Sequence, residues 1–345
     1  MKKNKIIEII KWLWLVLVLA GASYYFYKNW DSVSLLVSQI KLWRILLSLL
    51  LIIIGKAFIV LFMKFSVNAE GWHPEYTKLM GLYGLSGLGK YIPGGIWHFV
   101  GRFGAYKMSG MTVKSATRSL ILENLWLISS AAYVGLTGLT LSRFDLVSQF
   151  LKIKNQTWIS ILFVIGYTLL WYLGLLLAHH ILNKYTKERI QSPWIMMVIG
   201  ILVWIFICGG FFVMFSDFGI QLLPVFIGGY ALSWTAGYLF VIAPGGIGIR
   251  EVALSFVFST IASLELITVY GTMNRILFTV AELLYGLLGV LQKRTLQLSV
   301  HSKHDTDDLK GAKVSDVPSH EDTSTLQNKQ TENLEADVPS VEEKL

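Results

Sequence analysis

Several charges stand in sequence that is otherwise too apolar to hold them. Arg250 and Glu251 directly follow the run Pro244-Gly245-Gly246-Ile247-Gly248-Ile249, and Arg275 and Glu282, seven residues apart, fall on one face of a helix. A comparable set lies earlier: Lys90 before Pro93-Gly94-Gly95-Ile96, Arg102 after it, then Arg118 and Glu123. Charged side chains in apolar surroundings are costly and usually face a cavity or a partner. These residues are therefore candidates for a buried cluster in which Arg and Lys bind an anionic phosphate and Glu pairs with them when the site is empty. Lys56, deep in another apolar run, fits either a functional place or a side chain reaching along its stem to the membrane surface.

Other chemistries find little footing. His73, His98, His179 and His180 lack metal-ligand spacing with carboxylates or cysteine, so interfacial roles are expected and no metal is. The one cysteine, Cys208, lies in an apolar run and reads as a small buried hydrophobe. No Ser, His and Asp constellation, Walker-type loop or dinucleotide fingerprint occurs, and no cofactor is expected. Glycines at 84, 87 and 89 lie in an apolar stretch with no strand before them.

The elements that must position these charges are membrane spans. The chain of 345 residues is 54% hydrophobic and 15% charged, with a mean hydropathy of +0.56, more apolar surface than one soluble core can hide. Mostly apolar windows long enough to cross roughly 30 Å of hydrocarbon occur at about 9–27, 44–63, 118–141, 157–178, 195–215 and 266–291. The first, preceded by Lys2, Lys3 and Lys5, resembles a signal peptide but continues through Tyr24 to Tyr27, and is expected to be retained. The stretches Leu79–Val100 and Leu222–Ile242 each run into a Pro-Gly-Gly and are expected to dip into the bilayer and return, eight full spans being the alternative. With two dips, Lys107, Lys114, Arg118, Lys184, Lys187 and Arg189 share a side with both termini, and the positive-inside rule makes that side cytoplasmic.

The formal net charge of +8 is a sum over unlike parts. Residues 295–345 carry five Lys against eleven Asp and Glu, which leaves the body of residues 1–294 strongly basic. A basic body with twelve Trp and fifteen Tyr suits aromatic belts and anionic lipid. Its charges lie between apolar spans rather than in one stripe, which argues against nucleic acid. The polar segment 295–345 is expected to be a disordered cytoplasmic tail that could recruit partner proteins.

An internal repeat organises the body. Tyr83-Gly84-Leu85-Ser86 precedes the first Pro-Gly-Gly-Ile and Tyr230-Ala231-Leu232-Ser233 the second, with Tyr-to-Pro offsets of 10 and 14. Each copy sits in a unit of two spans, a dip and a span, so halves at about 9–141 and 157–291 would be inverted relative to each other, a plan that places a binding site where broken helices meet. Irregular backbone at that depth is tolerated where protein or a water-filled cavity satisfies it. A surface loop joining two full spans is the plainer reading of each Pro-Gly-Gly.

The runs KYIPGGIWHFVGR, Lys90 to Arg102, and APGGIGIRE, Ala243 to Glu251, resemble the paired signatures of the flippase-like family, which includes the transmembrane region of lysylphosphatidylglycerol synthases. The similarity covers roughly residues 9–294. It implies movement of lipids between leaflets, or membrane steps in lipid or surface-polysaccharide metabolism; the aminoacyl transfer of the synthases belongs to a separate soluble domain. Expected, then, is an all-α cell-membrane protein of about six spans and two re-entrant segments that translocates an anionic phospholipid or lipid-linked precursor, or assists in doing so. The rival is a membrane enzyme or accessory acting on a glycolipid or polyprenyl-linked substrate, with Glu123, Glu251 or Glu282 as acid or base. A structural membrane partner recruited by its tail is a third reading.

Overall fold

A computed structural model describes residues 40–314, apart from short stretches at 92–95, 146–147, 149–151, 153–156, 216–218, 241–245, 247 and 260, together with scattered positions between 24 and 38. The expected first span at 9–27, Pro93, Gly94, Gly95, Pro244, Gly245 and the chain beyond 314 lie outside the described residues.

The described chain forms α1 (Leu42–Asn68), α2 (Tyr76–Gly87) continued by a 3-10 turn (Leu88–Tyr91), α3 (Trp97–Met108), α4 (Val113–Ser142), α5 (Thr157–Leu182), α6 (Pro193–Met214), a 3-10 turn (Ile220–Leu222) leading into α7 (Leu223–Leu239), α8 (Ile249–Phe258) and α9 (Leu264–Val314). Local signals set several of the starts. The Thr112 side chain accepts a hydrogen bond from the Ser115 amide to cap α4, and Pro193 and Pro224 occupy first-turn positions where a missing N–H costs nothing.

Among the described residues six helices are long and apolar enough to cross a membrane: Leu42–Asn68, Val113–Ser142, Thr157–Leu182, Pro193–Met214, Ile220–Leu239 and Leu264–Leu291. The chain is a multi-pass membrane protein by this measure. Five of these match expected spans; the sixth, Ile220–Leu239, was expected as a dip. The first dip divides into α2 and α3, each of 12 residues, roughly 18 Å long and too short to cross. Contacts divide the chain into two compact units, residues 1–292 and 293–345. Helical backbone nevertheless runs on to Val314, inside the segment whose composition suggested disorder.

Contacts between loops fix which helix ends lie together. At one end Arg118, on α4, forms two 2.6 Å hydrogen bonds to Glu70, just past α1. Nearby, the Glu188 amide donates to Ala69 O at 2.9 Å and His73 meets Glu188 at 2.7 Å. At the other end Phe215, after α6, packs at a tilt against Phe226 of α7 and edge-on against Tyr270 of α9, while the Phe258 ring of α8 lies 4.8 Å from that of Phe226. The segment α2–α3 thus leaves and rejoins the bundle at the first end, and α7–α8 at the second. Each pair of helices forms a hairpin, and the described residues beside its break, 88–91 with 96–98 and 237–240 with 246 and 248–250, are its tip. Gly89 lies against Trp97 and His98 at the first tip, and Gly237 against Gly246 and Arg250 at the second.

Each hairpin docks on the last span of the opposite half of the chain. Gly81 and Gly84 of α2 lie so close to Gly289 and Gly286 of α9 that a Cβ on either would strike backbone. In the same way a Cβ on Gly138 of α4 would come within 2.7 Å of Gly228 Cα on α7. Small residues at such crossings let helix backbones approach where lipid supplies no hydrophobic push.

Candidate functional site

The two tips converge on a cavity of about 140 Å³. Five cations line it: Lys56 from α1, Lys90 from the first tip, Arg102 from α3, Arg250 from α8 and Arg275 from α9. The facing wall is aromatic. Trp204 meets Trp234 at 4.7 Å, Trp234 stacks on Tyr238 at 4.6 Å, and His98 and Phe99 reach Tyr238 across the gap between the tips.

Depth distinguishes this cluster from surface charge. Lys56 lies twelve residues from the Asn68 end of α1, roughly 18 Å along the helix axis, and is 1% exposed. Snorkelling to the surface is therefore not what it does. Its Nζ donates to Glu282 Oε1 at 2.7 Å, and Lys90 donates to that same oxygen. Glu282 Oε2 has no hydrogen-bond partner among the described residues.

The remaining pairs are held from behind the lining. Arg102 Nη1 donates to Glu123 Oε1 at 2.7 Å, and Tyr106 donates to Glu123 Oε2 at 3.1 Å. Arg275 Nε lies 2.5 Å from Glu251 Oε1, and its Nη2 donates to Gly246 O at 3.1 Å. Glu251 also accepts from the Gly248 amide at 2.8 Å, closing the first turn of α8 where Gly248 takes a φ of 89°. Neither Glu123 nor Glu251 lines the cavity; each fixes an arginine that does. Arg118, with Glu70, belongs to the loop end and not to the cluster.

Arg250 is the exception among the cations. It is 8% exposed, sits 4.4 Å over the Tyr230 ring and reaches Asn274 Oδ1 at 3.5 Å, with no carboxylate partner among the described residues. Lys56 and Lys90 share one carboxylate. Among the described residues three carboxylates, Glu123, Glu251 and Glu282, pair with the other four cations of the lining. Helix ends add no net charge. Each tip presents one N-terminal and one C-terminal end, carrying about half a charge of opposite sign.

Of the expected site residues, Lys90, Arg102, Gly246, Arg250, Arg275 and Glu282 meet at the cavity, and Glu123 and Glu251 stand one layer behind. Sequence reasoning passed over the two tyrosines that open the repeated motif. Arg102 lies 5.5 Å over Tyr83 as Arg250 lies over Tyr230. The Tyr-to-Arg separations, 19 and 20 residues, agree where the Tyr-to-Pro offsets do not, and that agreement was the available signal. His179 is buried rather than interfacial, accepting from Trp126 Nε1 at 2.8 Å. Cys208 is buried and free, as expected.

No protein-family model matches the chain, and no curated protein matches it in sequence.

Proposed function

We propose that this protein binds the anionic head group of a membrane lipid between its two hairpin tips and moves that lipid between leaflets. The observation that carries the reading is Arg250, a buried guanidinium facing a cavity with no carboxylate to balance it among the described residues. Removing such a charge from water costs several kcal/mol unless a counter-charge meets it, and an anionic head group supplies one. In this reading the hairpins are re-entrant segments, the two halves are an inverted repeat, and the end carrying Lys107, Lys114, Lys184 and Lys187 is cytoplasmic. The resemblance of the two Pro-Gly-Gly motifs to the flippase-like family supports it. The enzyme reading has less support, since each buried carboxylate is engaged by Arg or Lys.

Reconstitution into liposomes with a fluorescent anionic phospholipid in one leaflet tests the proposal. Leaflet exchange should be faster than in protein-free vesicles, and slower in Arg250→Gln, while Lys184→Ala, an exposed loop residue, behaves as the parent. Exchange no faster than in empty vesicles rejects translocation.

A further inference from the structure

We infer that Asn274 reserves Arg250 for an anion: it engages that arginine with a neutral amide at the place where the other half of the chain engages its own hairpin arginine with a carboxylate. This rests on the head-group reading above and adds a positioning residue to it. Glu123 and Asn274 each stand ten residues past the first residue of the last span of their half, Val113 of α4 and Leu264 of α9. Both are buried, and each meets an arginine and a tyrosine from the hairpin of its own half. Arg102 Nη1 donates to one oxygen of Glu123 at 2.7 Å and Tyr106 to the other at 3.1 Å. Asn274 takes both partners on a single oxygen, Tyr230 at 2.5 Å and Arg250 Nη2 at 3.5 Å.

The amide is the locally costly choice. Its Nδ2 is buried with no hydrogen-bond partner among the described residues, a state that calls for an explanation in a folded protein. Its contact with Arg250 is long for a bond from a charged donor. A carboxylate of the same size would remove the orphan donor and meet the guanidinium with opposite charge, gaining on both counts. It would also occupy Arg250 electrostatically and compete with a head group for it. Asn274 stands behind the cavity lining, as Glu123 does, and acts on a ligand through Arg250, which is part of that lining. One hairpin arginine is thus neutralised by the protein, and the other, laid over Tyr230 at 4.4 Å, by the ligand. Stability given up at a site in this way is a common condition of binding.

Thermal unfolding of the purified full-length protein in neutral detergent, with dioleoyl phosphatidylglycerol or dioleoyl phosphatidylcholine added, tests this. Phosphatidylglycerol should raise the Tm of the parent, and phosphatidylcholine should do much less. Asn274→Asp should match or exceed the parent in Tm without lipid, yet need on the order of tenfold more phosphatidylglycerol for half its effect. A residue that only packs would move stability and binding in the same direction. Asn274→Leu, neutral and of similar shape, should weaken binding much less than Asn274→Asp, and Asn274→Asp should add little to the loss already caused by Arg250→Gln. Parent-like binding by Asn274→Asp, with Arg250→Gln still impaired, would overturn the role of Asn274 and leave head-group binding intact. Equal losses in the Asp and Leu variants would overturn it too, by tracing the effect to shape rather than charge. So would failure of Asn274→Asp to fold without lipid, since Arg250 and Tyr230 are there to receive the new charge. No effect of phosphatidylglycerol on the parent would overturn both readings.

Discussion

Lys56 and Glu282 are 226 residues apart in sequence and 2.7 Å apart in the bundle, 1% and 2% exposed. Their contact joins α1 to the last span, and Lys90 brings the first hairpin tip to the same carboxylate. Removing the acid takes the shared carboxylate from both lysines, whereas removing Lys56 leaves Glu282 with Lys90.

Glu282→Gln should therefore destabilise the protein more than Lys56→Met. Breaking one side of a buried pair costs about 3–5 kcal/mol, enough for a clear fall in Tm or in folded yield after detergent extraction. The order of the two variants is the decisive measurement; Lys56→Met as the more damaging would mean that Lys90 does not hold Glu282.

The glycine crossings give a steric prediction. Gly84→Ala places a Cβ against the backbone of Tyr285 and Gly286, where nothing flexible can yield, while Gly104→Ala meets nothing within 4 Å. The first should lower Tm strongly and the second leave the unfolding free energy within about 0.5 kcal/mol of the parent. Parallel unfolding curves of the two would show that α2 does not dock closely on α9.

Which helix ends share a side can be read chemically. In a Cys208→Ser background, cysteines at Lys107 and Lys184, both exposed at the basic end, should resist an impermeant thiol reagent in intact cells and react after permeabilisation. A cysteine at Ile220, 70% exposed at the opposite end, should label without permeabilisation. Labelling of Lys107→Cys and Ile220→Cys from the same side would dissolve the hairpin arrangement.

Arg102 and Glu123 should behave as a unit. Glu123→Gln leaves the Arg102 guanidinium misplaced and is expected to slow leaflet exchange about as much as Arg102→Gln, with the double variant little worse than either single one. Additive losses in the liposome assay would mean that Glu123 touches the ligand on its own account.

The spans were legible because hydropathy over about twenty residues is a local property, and 157–178 and 195–215 lie within observed α5 and α6 almost residue for residue. The candidate cations were legible for the opposite reason, as charges out of place. Their partners were not. Nothing near Lys56 in sequence announces Glu282, and nothing near Arg250 announces Tyr230, because these contacts are made by helix crossings that depend on glycines meeting backbone. Residues 295–314 lack an apolar face, yet helical backbone continues through them, since a started helix extends at little cost without one.

The crossed docking of the hairpins has a mechanical consequence. Each hairpin is tied to the last span of its own half by a charge pair, Arg102 to Glu123 and Arg275 to Glu251, and to the last span of the opposite half by glycine against backbone, to which the first hairpin adds Lys90 to Glu282. These two kinds of tie respond differently to a ligand. An anion can take the place of a carboxylate beside an arginine, while nothing in the cavity can replace the contact of Gly81 with Gly289. Under the proposed binding, the second hairpin would loosen from its own half and stay fastened to α4, while the first would also give up its charge tie to α9 and keep only the glycines there. The seam along which the bundle would then part does not coincide with the boundary between the two halves of the chain.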